Sequence, residues 1–188
     1  HDAGEFLAAL GDILEGRDAA AASRRRLTDL FFTHKDAGAT ARLLTAVGLG
    51  STAAGVPVAV VNLMGRVFMN ALECPFRTAD RALQEIGSRC RVILVDIHAE
   101  ATSEKVAMAW YLDGRVSAVI GTHTHVQTAD ERVLPAGTAA ISDVGMTGAR
   151  DSVIGIEKDL ALRRFLQQMP VRFACARKDP RLCAVLLD

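Results

Sequence analysis

Three apolar runs, "VPVAVVNL" at 56–63, "RVILVDI" at 91–97 and "VSAVIG" at 116–121, are separated by stretches of helical length and spacing. Runs that are apolar throughout suit strands buried on both faces. Between the first two lies "FRTADRALQEIG", a helix with Gly87 as its stop. Between the second and third lies "TSEKVAMAWYLDG", with Thr102 or Ser103 as N-cap, Glu104 in the first turn and Gly114 just past the end. A strand, one helix and a further strand require a right-handed crossover, which makes the two strands parallel. The expected class is α/β, with a mostly parallel sheet covered by helices and function gathered at the carboxyl ends of strands.

The flanks add less. "GTAAISDV" at 137–144 reads as a fourth strand, and "EKDLALRRFLQQM" as a helix closed by Pro170. "VRFACA" and "LCAVLLD" read as a terminal antiparallel pair around the turn "RKDPR". Residues 1–49 are rich in Ala, Arg and Leu with helical spacing and little strand signal, and "GLGSTAAG" at 48–55 reads as a loop. The expected division is therefore a mostly helical N-terminal segment, 1–49, and an α/β domain, 56–188. Twenty-two basic residues balance twenty-two acidic ones, which argues against nucleic acid or an anionic membrane as the main partner. No apolar run has the length of a membrane span. Four cysteines without a C-x-x-C pair read as buried free thiols of a cytoplasmic protein.

Histidine is scarce, five in 188 residues, yet "GTHTHVQTAD" places His123 and His125 one residue apart just past a strand. His98 ends the preceding strand. Neighbouring parallel strands lie about 4.8 Å apart, so His98 is expected within ligand distance of the His123–His125 pair. Neutral imidazole is the common nitrogen ligand of first-row divalent ions, and three histidines converging from two strand ends point to a metal site. Such a site also needs partners that orient each ring. Asp96, Glu100, Thr122, Thr124 and Asp143 are near enough in sequence to serve. Asp96 shares strand parity with His98 and is equally readable as a buried structural carboxylate. Asp143 ends the fourth strand, and "GMTG" after it is a turn whose amides could meet phosphate oxygens. Asn62 and Arg66 read as loop-turn residues beside the cleft.

At these residues the sequence resembles a known family. "VAVVNLMGRVFM", "DIHAEATSEKVAMAWYLDGRVSAVIGTHTHVQTADERVLPAGTAAISDVGMTG" and "VIGIEKDLALRRFLQQMPVRF" closely resemble the YmdB-type branch of the calcineurin-like metallophosphoesterases, over about Val56 to Phe173. The resemblance implies part of a four-layer α/β sandwich with a dinuclear centre of Fe, Mn or Zn, hydrolysing small phosphodiesters such as 2′,3′-cyclic nucleotides. It implies that His98, His123 and His125 are metal ligands, His98 and His123 sharing one ion and His125 binding the other. A homo-oligomer is compatible with it.

The upstream pattern departs from the family. The Gly-Glu-Asn and Gly-Asn-His motifs, which supply a bridging carboxylate, an asparagine ligand and an acid histidine, do not occur. "LGDILEGR" echoes the first ligand motif, making Asp12 a weak candidate, though no apolar strand precedes it; His34 lacks the flanking Gly-Asn and reads as a surface residue. No residue matches the catalytic acid. The chain thus reads as the second half of such an enzyme, holding two ions, one or none. The competing readings are a fragment or rearranged product of a phosphodiesterase, a non-catalytic module that binds a metal or a partner, and an unrelated H-x-H metallohydrolase of amidohydrolase type.

Overall fold

The computed structural model describes residues 45–51 and 55–187. Strands β1 (Thr45–Ser51), β2 (Pro57–Met64), β3 (Val92–His98), β4 (Ala118–Thr122), β5 (Arg132–Val133) and β6 (Ala139–Ile141) form a six-stranded sheet in the order β1-β2-β3-β4-β6-β5. The inner four, β2, β3, β4 and β6, run parallel, and β1 and β5 close the edges antiparallel. Helix α1 (Pro75–Ile86) crosses from β2 to β3 and α2 (Thr102–Tyr111) from β3 to β4. Beyond the sheet, β7 (Gly148–Ala149) pairs with β8 (Pro180–Arg181), and α3 (Lys158–Gln167) lies between them in sequence.

Both crossover helices pack on one face of the sheet, because each connects adjacent parallel strands in the same direction. α1 presents Pro75, Thr78, Ala79, Ala82 and Ile86, a stripe at helical spacing, and α2 presents Met108 and Ala109. These meet Ala59, Val61 and Leu63 of β2, Ile93, Val95 and Ile97 of β3 and Val119 of β4 in a single core. Each fully buried Leu, Ile or Met of this core contributes on the order of 1.5–3 kcal/mol. The burial of β2 and β3 alternates strictly: the other face, with Val58, Val60, Asn62, Leu94, Asp96 and His98, is half-buried. α1 stops where expected, at Gly87 with φ 53°.

Several expectations need correction. Residues 45–51, expected as the end of a helical segment and the start of a loop, form β1; its two glycines mask a strand made by pairing with β2. The terminal antiparallel pair does not form. "VRFACA" makes one isolated bridge, Ile156 to Cys175, and the turn residues Pro180–Arg181 pair with β7 instead, after a reversal at Asp179 (φ 55°). α2 begins one residue early: buried Ala101 occupies the N-cap position, and its carbonyl receives the Glu104 and Lys105 amides. The four cysteines are free, but only Cys90 is buried. Among the described residues, no helix is long and apolar enough to cross a membrane.

Candidate metal centre

The parallel register of β3 and β4 sets His98 beside Thr122, so the first histidine of "GTHTH" follows at once. His98 Nε2 and His123 Nδ1 lie 3.0 Å apart, and the rings meet edge to face with centroids 4.8 Å apart. His125 is on the same loop, and its Nδ1 lies 3.0 Å from the Ile154 carbonyl. Both loop histidines have positive φ, 130° at His123 and 64° at His125, a backbone region that side chains other than glycine seldom adopt. Strain of this kind clusters at functional sites.

The hydrogen bonds fix which nitrogen of each ring is free. Asn62 donates to Asp96 Oδ2 at 2.6 Å, and the Thr122 hydroxyl donates to Asp96 Oδ1 at 2.9 Å. Thr122 has one proton, and Asp96 takes it, so Thr122 Oγ1 accepts from His98 Nδ1, 3.1 Å away. His98 therefore carries its proton on Nδ1 and presents the Nε2 lone pair to His123. A carbonyl can only accept, so His125 Nδ1 is the donor to Ile154 and its Nε2 is left as the lone pair. Ring N–H bonds to a hydroxyl, a carboxylate or a backbone carbonyl are what orient metal-binding histidines. Burial, with the neighbouring His123 ring adding to it, holds His98 below the ordinary histidine range, which favours the neutral ring. Burial pushes the Asp96 carboxyl up, against the bonds from Thr122 and Asn62.

The residues present fit a divalent ion at the first pair. Two nitrogens each about 2.1 Å from one ion, at roughly 90–110° to each other, stand about 3.0–3.4 Å apart. The His98–His123 separation of 3.0 Å falls in that range. His125 does not join them: among the described residues, no three His, Cys, Asp or Glu side chains form a group that could hold an ion. Asp12 and His34 lie outside the described residues.

Asp143, expected beside the histidines or substrate, is a buried anchor, 1% exposed. Its Oδ2 accepts from Thr124 N at 2.9 Å and Lys105 Nζ at 3.1 Å, and its Oδ1 accepts from Gly145 N at 2.9 Å. Burial pushes this carboxyl up, but those three donors outweigh it and hold it below the usual range. It thereby clamps the histidine loop to the turn after β6. Asn62 is a strand residue rather than a loop residue, and its amide supports Asp96.

Two residues that hold the site in place were not singled out as such from sequence. Buried Glu104 accepts from Arg66 N (3.1 Å) and Val67 N (3.2 Å), fixing the loop after β2, while its neighbour Lys105 holds Asp143. Glu104, Lys105, Met108, Ala109 and Leu112 are all buried, and that i, i+1, i+4, i+5, i+8 stripe was the available signal. The close approach needs glycine at Gly121, where a Cβ would lie 1.8 Å from the Ser142 carbonyl oxygen. A groove of 590 Å³ lined by Ile120, Ala139, Ala140 and the tail Ala184–Leu187 includes none of the histidines.

A parallel sheet with helices on one face and histidines at its carboxyl edge is the α/β arrangement of the metallophosphoesterase type. The chain belongs to the YmdB-like protein family, which it matches over residues 38–188. That span takes in β1 and the C-terminal tail, beyond the segments that carry the resemblance in sequence. The chain is 52% identical over 134 residues to a Bacillus subtilis 2′,3′-cyclic-nucleotide 2′-phosphodiesterase, covering 71% of this chain and 51% of the relative. It is 36% identical over 136 residues to a Mycoplasma pneumoniae protein named as a putative phosphatase/phosphodiesterase, covering 70% and 47%. A crystal structure of a hypothetical protein from Thermus thermophilus superposes with a TM-score of 0.65 at 49% identity, covering 70% of this chain and 51% of that one. A structure described as a novel phosphatase from Mycoplasma pneumoniae gives 0.60 at 33% identity, covering 69% and 46%. The chain spans about half the length of the curated relatives it matches.

Proposed function

We propose that this chain carries the histidine side of a metal-dependent phosphodiesterase centre acting on small cyclic phosphodiesters, 2′,3′-cyclic nucleotides first among them. The observation that carries this reading is the His98 Nε2–His123 Nδ1 separation of 3.0 Å, with the far nitrogen of each ring already engaged. The split between that pair and His125 supports two ion positions, one for the pair and one for His125. The name of the Bacillus subtilis relative supports the substrate class.

Ions of Fe, Mn or Zn held by His98, His123 and His125 would supply Lewis acidity toward phosphate oxygens and acidify water. The chain's own residues do the rest of what the geometry supports. Asp96, through Thr122, keeps the His98 proton on Nδ1. Ile154 does the same for His125. Asp143 and Lys105 hold the loop that carries His123 and His125. The described residues supply nitrogen donors, and no residue among them is assigned as the acid that protonates the leaving oxygen. A cytoplasmic location fits the four free thiols.

The test is an assay of the full chain with added Mn²⁺ on 2′,3′-cyclic AMP and on a phosphomonoester, with calorimetric titration of 2′,3′-cyclic AMP beside it. The expected result is metal-dependent binding of the cyclic nucleotide, and any turnover confined to it with the 2′ bond broken and the 3′-phosphate released. Preference for the monoester would contradict the reading, and hydrolysis of an amide would favour the amidohydrolase alternative.

A further inference from the structure

We propose that Glu100 is the positioning residue that decides which nitrogen of His123 is offered to a metal ion, an inference that rests on the metal reading of the histidine edge. Glu100 Oε2 lies 2.6 Å from His123 Nε2. An ionised carboxylate has no proton to give, so His123 Nε2 must carry one and donate it. That assignment leaves Nδ1 as the ligand atom, the same atom that stands 3.0 Å from the bare Nε2 of His98. Without the carboxylate, a half-turn of the imidazole would bring a C–H to face His98 in place of Nδ1, and the neutral ring would be free to hold its proton on either nitrogen.

The chain builds this arrangement locally. His98 ends β3 and Glu100 follows two residues on, past the fully buried Ala99. The Glu100 amide donates to Met69 Sδ at 3.4 Å, tying the residue to the loop after β2. One strand end thus delivers a ligand and the carboxylate that orients the ligand beside it. His123 needs such a hold, because its φ of 130° gives it no relaxed backbone to rest on.

The pair does little for stability. The Glu100 side chain is 53% exposed and that of His123 30%, and polar pairs this open contribute little. The buried carboxylates Asp143 and Glu104, by contrast, bond backbone amides and hold loops. What Glu100 supplies is direction.

Zinc binding by the full chain, measured by competition with a chromophoric chelator, and the ¹⁵N signals of the histidine rings test this together. In the zinc-loaded wild type, His123 should carry its proton on Nε2 and bind metal through Nδ1. Glu100→Ala should weaken zinc binding by about 10–100-fold, the usual effect of removing such a partner, and split the His123 signals between tautomers. The His98 signals and the urea midpoint should not change. Glu100→Gln keeps an oxygen acceptor and should recover most of the affinity and the single tautomer. Glu100→Ala with wild-type affinity and an unchanged His123 tautomer would overturn the proposal. So would Glu100→Gln as weak as Glu100→Ala with no proton on Nε2, which would make Glu100 a ligand. A wild type that takes up no zinc would defeat the metal reading itself and this inference with it, whereas the other failures leave that reading standing.

Discussion

Lys105 Nζ lies 3.1 Å from Asp143 Oδ2, an ion pair whose side chains are 2% and 1% exposed. Such a pair costs much to desolvate, and removing one partner strands the other charge in the interior. Lys105→Met should therefore destabilise the fold by about 3–5 kcal/mol, read as a fall in the urea midpoint. The pH dependence follows from the same bonds. The folded Asp143 pKa is held below its ordinary value of 3.8, so the stability it contributes is present above that value and is lost as pH falls through the folded one. Asp143→Asn should flatten that acid limb of the stability curve. An unchanged midpoint in Lys105→Met would contradict the anchoring role.

Gly121 tolerates no side chain. A Cβ there would lie 1.8 Å from the Ser142 carbonyl oxygen and 2.5 Å from its carbon, both backbone atoms of the β6 end. Overpacking against atoms that cannot rotate away costs about 3 kcal/mol or more. Gly121→Ala should lower the urea midpoint accordingly and spread the His123 and His125 signals. A wild-type midpoint would show that β4 and β6 can part without harm.

Glu104 should protect two amides in particular. Its carboxylate receives Arg66 N and Val67 N, and truncation leaves both without that acceptor. Glu104→Ala should cost about 1–3 kcal/mol and speed hydrogen exchange at residues 66 and 67 more than at β2 itself. Equal exchange in variant and wild type would remove Glu104 from the list of loop anchors.

β2, β3, β4 and the two helices between them were legible because their signals are local: unbroken apolar runs, helical stripes, and Gly87 as a stop. β1 was not, since "TAVGLGS" contains two glycines and becomes a strand through its pairing with β2. The same holds for β7 and β8, two-residue strands made by a distant partner. His98 beside His123 was legible from strand parity and spacing, as were Asp96 and Thr122 as supports. Asp143 was located at the right strand end, but its burial against Lys105 was not foreseen, because burial of a carboxylate depends on where a distant lysine reaches. Glu104 was placed in the first turn of its helix, and its position in line with Met108 and Leu112 was the local sign that its side chain turns inward, though not that it caps another loop.

Metal content of the full chain after dialysis against Mn²⁺ tests the histidine edge most directly, with wild type, His98→Ala, and the double variant His123→Ala with His125→Ala compared at equal folded concentration. A metal centre built on His98 and His123 predicts near-stoichiometric manganese in the wild type and its loss in both variants, since either change removes one member of the 3.0 Å nitrogen pair. Equal metal content in all three proteins would contradict it and leave "GTHTH" a polar loop that happens to use histidine.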